Sequence, residues 1–396
     1  MLGLLWLAYA SFGIISGTIA PLVVPMMVDL KMSYSQMGLV LGTWQLIYIF
    51  TAIPLGTLID RIGVKKAISV GIVIIWLSLA LRGIAVNFIT LFLAVALFGF
   101  GGPIISIGAP KVVALWFRGS QRGLAAGLYT TAPIIGLAIS LAASPTWVIQ
   151  LTGSWRGASL IFGIFVFIVL LCWTLLAKEL NPSSLTSSKT VTPISSLRIL
   201  KRILLLRNMQ IMLIVAILSF FLNHGLNNWL PSVLGEKGKS LSEAGSLAAM
   251  GTAIGAVGLL VIPRIATFGR RRIILSLLMA LSALTTYGLA KSTEPLLTTI
   301  IIISGLVRSP LMPISTLILM ETPGIGSAAM GQAGGLFFAA AEIGGVGGPL
   351  ILGLLRDATG SLNTGLILLS CSSAALLFII PWIREKNELS LPLLKN

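Results

Sequence analysis

The feature that most constrains this chain is where its charges are not. Twelve runs of mostly apolar residues succeed one another, and the stretches between them hold nearly all of the Lys, Arg, Asp and Glu. An α-helix needs about 20 such residues to cross a bilayer, so each run is a candidate span. The runs fall at 4–28, 35–58, 67–86, 89–114, 122–145, 157–177, 209–233, 241–262, 273–290, 296–319, 328–354 and 362–383. Strands of a membrane barrel would alternate polar and apolar over about ten residues. The segment ILSLLMALSALTTYGLA is apolar on every face, so the predicted fold class is an all-α membrane protein with 12 transmembrane helices.

Composition removes the obvious alternatives. Of 396 residues, 56% are hydrophobic and 10% charged, against about 25% charged in ordinary soluble domains. So few charges cannot clothe a water-soluble globule, which excludes a soluble enzyme. The mean hydropathy is +1.02 and the isoelectric point near 10.5, with 27 Lys and Arg against 11 Asp and Glu, a net charge of +16. In a polar chain that excess would suggest nucleic acid. Here the cations sit in short runs between apolar segments, without interleaved aromatics, and no nucleic-acid partner is expected. Cys172 and Cys371 lie inside apolar runs and supply neither a disulfide framework nor a metal cluster. Both read as buried small hydrophobes, and no metal or cofactor is expected. Met1 enters an apolar run almost at once, without the charged start and cleavage site of a removable leader, so the first run is expected to stay as a membrane helix.

One long polar stretch, Lys178 to Arg207, divides the spans into six and six. Its NPSSLTSSKTVTPISS part reads as a flexible linker, and the part containing Arg198, Lys201 and Arg202 as a short helix on an anionic leaflet. The expected domains are residues 1–178, a cytosolic linker at 179–207, and 208–396. A degenerate repeat relates the halves. The loop after the second span reads Asp60-Arg61-Ile62-Gly63-Val64-Lys65-Lys66, the loop after the eighth Ala266-Thr267-Phe268-Gly269-Arg270-Arg271-Arg272, and Gly63 and Gly269 stand 206 positions apart. Orientation follows from the positive-inside bias. With the N-terminus in the cytosol, eighteen Lys and Arg fall on the cytosolic side and seven outside. The expectation is a monomeric multi-pass protein among the lipids of the cytoplasmic membrane, both termini cytosolic.

The stretch from Gly56 through Asp60, Arg61, Gly63 and Lys65 to Lys66 resembles the G-x-x-x-D-R-x-G-x-K-K signature between the second and third helices of the major facilitator superfamily. Together with twelve spans, a central linker and a second copy of the loop, the resemblance covers essentially the whole chain. It implies two six-helix bundles with pseudo-two-fold symmetry, and a loop that stabilises the outward-open state. Asp60 is expected beside the start of the eleventh helix, near Gly326 to Met330, where a carboxylate is favoured by the helix dipole. Arg61 and Lys65 are its candidate partners, and the cluster would gate the cytosolic side.

Arg122 to Gly127 resembles the family's turn between helices four and five, with Gly123 and Gly127 permitting close helix approach. Gly153-Ser154-Trp155-Arg156 is similar to a Gly-Trp-Arg seen before helix six. Val95 stands near where many proton-coupled members carry arginine, and Ala132-Pro133-Ile134-Ile135-Gly136-Leu137 matches the drug-antiporter helix-five pattern only in part. Both departures point away from multidrug efflux.

Charges in hydrocarbon cost about 2.5–3.5 kcal/mol each on insertion scales and mark function by default. Glu342 falls near the middle of the eleventh span and Arg308 near the middle of the tenth. In one reading Glu342 titrates as the proton-coupling group while Arg308 holds an anionic substrate. In the other they form a static ion pair. The seventh span places Asn223, His224 and Asn227 within two turns, too polar for a lipid face, and they are candidate substrate ligands. Gln45 and Tyr48 share one face of the second span and Tyr129 sits in the fifth; these too are candidate ligands, or ordinary interhelical bonds. Lys111 is expected to snorkel to the cytosolic surface, and Arg82 to be an interfacial or gating residue.

The helix-seven stretch GLNNWLPSVL and the region 109–127 look similar to bacterial porters of cyanate, nitrate or nitrite, and monocarboxylates. Nitrate porters pair arginines in helices two and eight, which this chain does not match. The resemblance implies a secondary transporter working by alternating access, not an enzyme, and one central cation, Arg308, beside one central acid, Glu342, points to a small organic anion moved with a proton. The competing readings are an efflux antiporter for drugs or metabolites, an anion exchanger without proton coupling, and a non-transporting sensor.

Overall fold

The computed structural model describes residues 1–179, 200–267, 269–323, 325 and 329–384. Among them, twelve helices are long and apolar enough to cross a membrane. These are α1 (Leu2–Leu30), α2 (Tyr34–Ile62), α3 (Val64–Gly83), α4 (Phe88–Trp116), α5 (Gln121–Thr152), α6 (Arg156–Leu176), α7 (Arg207–Glu236), α8 (Leu241–Ile265), α9 (Arg271–Lys291), α10 (Leu296–Met320), α11 (Met330–Thr359) and α12 (Asn363–Trp382). No strand occurs among the described residues. Most of the linker expected at 179–207 lies outside them, as does the expected start of α11 at 326–328; residues 200–204 are helical.

Large apolar side chains stand fully outside: Ile53 and Leu175 are each 78% exposed and Phe378 81%. Water would penalise that surface and lipid does not, which is also why Cys371 is exposed where the sequence suggested a buried side chain. Apolar character marks the interior of a soluble protein, but in a bilayer it does not separate core from surface.

Helix starts follow local chemistry. Ser33 and Gln36 form a reciprocal capping box at α2, and Asn87 and Thr90 form another at α4, satisfying amides that have no partner inside the helix. At the other end of α4, Arg122 donates to the carbonyls of Phe117 (3.2 Å) and Ala114 (2.9 Å). Prolines stand inside several spans without ending them. Helix α5 continues past Pro145 through a π turn at Ser144–Val148, so it runs to Thr152 instead of stopping near 145. Among the described residues, two spans stop and then resume as α-helix. In α1 the helix stops at Gly17 and resumes at Val23 after a 3-10 turn at Ala20–Leu22 that contains Pro21. In α10 the helix stops at Arg308 and restarts at Leu311, past Pro310.

The chain packs as two compact units. The first takes the chain from Met1 through α6 together with His224–Ala253 and Val346–Gly365. Its helices approach through glycines. A Cβ at Gly136 would fall on the Ala10 carbonyl, one at Gly13 on the Pro133 carbonyl, and one at Gly99 would lie 2.9 Å from the Trp44 carbonyl. Gly38 and Gly42 let α2 meet α11 at Pro349 and Val346, and Trp229 Nε1 donates to the Pro349 carbonyl at 2.9 Å. Asp357 then caps α2, accepting from the amides of Tyr34 (3.0 Å) and Ser35 (2.8 Å). Arg356 bonds Glu236 (2.5 Å) and lies 4.6 Å over the Tyr34 ring. The Gly-Ser-Trp-Arg stretch acts here as well: Trp155 Nε1 (3.0 Å) and Arg156 both donate to Asp29 at the end of α1, and Arg156 also donates to the Ala85 carbonyl at 2.8 Å.

The second unit takes α7 up to Asn223, Ile254–Gly345, and the chain from Leu366. Gly344 brings α11 against the α7 backbone at Ile217 and Phe221, and Gly255 and Gly258 bring α8 against α10 at Gly305 and Leu306. An ion pair joins Arg271 to Glu321. The Asn208 side chain exchanges two hydrogen bonds with the Arg384 backbone, 2.7 and 3.0 Å.

Gly123 and Gly127, expected to mark a close approach, face open space. The tight crossing of α5 is made further along the helix, by Gly136. Overpacking a tight contact costs about 1–3 kcal/mol, so Gly136→Val should lower the melting temperature of the purified protein by several degrees or prevent folding. Gly127→Val should melt like the parent in the same fluorescence-detected thermal scan.

Candidate substrate site

The candidate polar residues gather in two clusters, one in each unit. In the first unit, Gln45 is fully buried and its Nε2 lies 3.0 Å from Nδ1 of His224. The contact joins the amide to the ring nitrogen Nδ1. The sequence offered Gln45 and His224 as parts of separate spans; packing makes them a pair. The Trp44 ring meets the His224 ring edge-on at 5.9 Å. Behind it Trp44, Phe12 and Phe98 form a mutual cluster, with centroids 5.3–5.7 Å apart. Phe12 also touches Tyr9 (5.6 Å), and Tyr9 touches Tyr129 (5.9 Å). Tyr48 is half-buried, as is Asn227 one turn beyond Asn223. The cluster of Tyr9, Phe12 and Phe98 rings was not singled out in the sequence, because in a chain this apolar no spacing marks which aromatic residues meet.

In the second unit Arg308 is 6% exposed. Its Nε donates to Ser304 Oγ at 3.0 Å and its Nη1 to Asn223 Oδ1 at 3.2 Å, so both of these bonds run to neutral side chains. Asn223 is itself oriented, donating through Nδ2 to the Ser219 carbonyl at 3.0 Å. Ser304 escaped sequence reading, although a position four residues before a helical arginine lies on the same face. Arg308 also ends the first helical stretch of α10, where the unsatisfied carbonyls of a helix C-terminus favour a cation. Glu342 is 6% exposed, and its Oε2 accepts no hydrogen bond. It stands half a turn from Gly344, the point where α11 meets α7 at 217–221.

The signature loop adopts a form its sequence explains in part. Gly63 has φ +84° and Gly269, its counterpart, φ +77°, a left-handed conformation suited to glycine. A Cβ at Gly63 would also press on Glu179. The Lys65 carbonyl accepts from Trp173 Nε1 at 3.1 Å. Asp60 pairs with Lys111 of α4 (Nζ–Oδ1 2.6 Å) and not with the expected Arg61 or Lys65; Lys111 also reaches the Gly56 carbonyl at 3.5 Å. Snorkelling thus brings Lys111 to a carboxylate at the end of α2. Half-exposed as it is, the pair contributes less than about 1 kcal/mol. Arg82, expected at the interface, is 1% exposed, because its side chain turns inward to the Ile15 carbonyl (2.9 Å).

Comparison with known proteins accords with this architecture. The chain matches the Major Facilitator Superfamily over residues 5–349. It is 28% identical over 162 residues to a probable L-galactonate transporter of Escherichia coli K12, 40% of this chain and 35% of that protein. It is 28% identical over 151 residues to the hexuronate transporter of Bacillus subtilis 168, 38% of this chain and 35% of that protein. The aligned region spans about a third of the length of these relatives. Its fold is similar to that of a mutant of the nucleoside transporter NupG (TM-score 0.81, 16% identity, 96% of this chain and 99% of that one). A bacterial homologue of the human lysosomal transporter Spinster is also similar (TM-score 0.78, 16% identity, 98% of each chain). With twelve apolar helices, the signature loop repeated with both glycines left-handed, and a family match over most of its length, the chain belongs to the Major Facilitator Superfamily.

Proposed function

We propose that this protein is a secondary transporter of the cytoplasmic membrane, termini cytosolic, that moves a small organic anion of the sugar-acid class together with a proton. The observation that carries the reading is the Arg308 cluster: a guanidinium within the membrane-spanning region, hydrogen-bonded to the neutral side chains of Asn223 and Ser304, in the same unit as a buried acid whose Oε2 is bonded to nothing. A planar guanidinium offers a carboxylate two parallel N–H donors, and Asn223 and Ser304 hold the fork in place. The names of the two relatives, a galactonate and a hexuronate transporter, supply the class: a carboxylate on a polyhydroxylated chain. The Gln45–His224 pair and the tyrosines of the first unit are groups suited to hydroxyls.

Coupling follows from charge conservation. When Glu342 carries a proton, the positive charge of Arg308 is balanced by the bound carboxylate, and anion and proton cross as an electroneutral pair. When the anion leaves, Glu342 can release its proton and balance Arg308 itself. Each uncompensated charge in the core costs about 2.5–3.5 kcal/mol, so forms carrying the anion without the proton are disfavoured by that order.

Uptake by protein reconstituted in liposomes tests this directly, with L-galactonate and D-glucuronate as probes. Arg308→Gln removes the charge-assisted hydrogen bonds, worth about 1.5–3 kcal/mol, and should raise KM roughly ten- to a hundredfold. Wild-type KM in that variant, or no organic anion transported by the parent, overturns the anion reading. Glu342→Gln should keep anion counterflow while losing uptake driven by an inward pH gradient. Gradient-driven accumulation by that variant would show that the proton travels elsewhere.

A further inference from the structure

Arg82 in α3 is buried as deeply as any charged residue described and has no part in the clusters above. Among the described residues it forms no ion pair with a carboxylate. Its Nη1 donates to the Ile15 carbonyl at 2.9 Å, its guanidinium carbon lies 5.6 Å from the centre of the Phe98 ring, and its Nε has no partner. Ile15 lies in the last turn before the α1 helix stops at Gly17, where carbonyls are released from the helical ladder and the dipole presents its negative end. Thr18 Oγ1 serves the Ile14 carbonyl at 2.8 Å; Arg82 serves the next one.

The other contact leads to the first cluster. Phe98 packs on Phe12 (5.3 Å) and Trp44 (5.5 Å), and Trp44 on His224 (5.9 Å). Arg82 thus stands at one end of a chain of rings whose other end is the imidazole bonded to Gln45. Folding alone gives no reason for a cation here. Burying one costs several kcal/mol, and an apolar side chain of similar volume is often neutral or stabilising.

We propose that Arg82 is a positioning residue for the Gln45–His224 patch: by clamping the break in α1 and the face of Phe98, it fixes the Phe12–Trp44 stack and with it the His224 ring. This rests on the reading of Gln45 and His224 as substrate ligands. His224 is the only histidine in the chain, so its ring can be observed alone. Full-length protein labelled with 15N-histidine and reconstituted in lipid should give one set of imidazole resonances by solid-state NMR. Arg82→Met should shift or broaden that set while the melting temperature stays at or above the parent value. Phe98→Leu should perturb the same resonances, and Arg82→Lys, which keeps the charge without the planar fork, should restore them only in part. In calorimetric titrations with L-galactonate, Arg82→Met and Phe98→Leu should each weaken binding about tenfold, and the double variant no more than the worse single.

A histidine spectrum unchanged in Arg82→Met, or a lowered melting temperature with unchanged affinity, overturns the positioning role. Should Arg82→Met not fold, Phe98→Leu and Arg82→Lys decide the matter through the same spectrum. Unaltered L-galactonate affinity in His224→Ala fails the substrate-ligand reading instead, whatever Arg82 does to the ring.

Discussion

A cation is kept inside a membrane protein where polar groups of the protein replace its water, and in the described residues two such cations stand beside interrupted helices. A continuous helix consumes its own carbonyls and leaves a guanidinium in hydrocarbon with nothing to replace water. Breaking α1 at Gly17 and α10 at Arg308 creates two helix C-termini within the spans. Each has an arginine: Arg82 reaches the carbonyl before the α1 break, and Arg308 terminates the first stretch of α10. Pro21 and Pro310 stand at the two interruptions.

Around these points the helices stand very close together. Gly344 admits the α7 backbone next to Glu342, and Gly99 admits the Trp44 carbonyl next to Phe98. In lipid there is no hydrophobic gain from pressing one apolar helix on another, so approach is limited by shape and offset by dispersion and hydrogen bonds. Trp229 on Pro349 and Asp357 on the start of α2 are such bonds. They occur where side chains of adequate length meet a backbone exposed by a glycine or a helix start.

Much of this was legible in the chain itself. Span number and order came from the spacing of charges, because the bilayer's thickness sets the length of an apolar run. The turns at Gly63 and Gly269 came from a repeated loop, since glycine's freedom at positive φ is a local property. Arg308, Glu342, Asn223, His224 and Gln45 stood out because polar groups in hydrocarbon are costly. Partners did not stand out. Asp60 bonds Lys111 in place of its sequence neighbours, Gln45 meets His224 across 179 residues, and Gly136 rather than Gly127 makes the tight crossing.

By itself, then, the sequence determined that this is a twelve-span helical membrane protein, roughly where each helix begins, and which few side chains are too polar to face lipid. All three follow from local length, local capping and transfer cost, which need no knowledge of neighbours. Tertiary structure alone decided what those side chains touch: Arg308 on Asn223 and Ser304, Arg82 turned inward onto an opened helix and an aromatic ring. In an apolar chain every helix face looks alike, so direction is set by contacts between distant segments and not by any pattern along the chain.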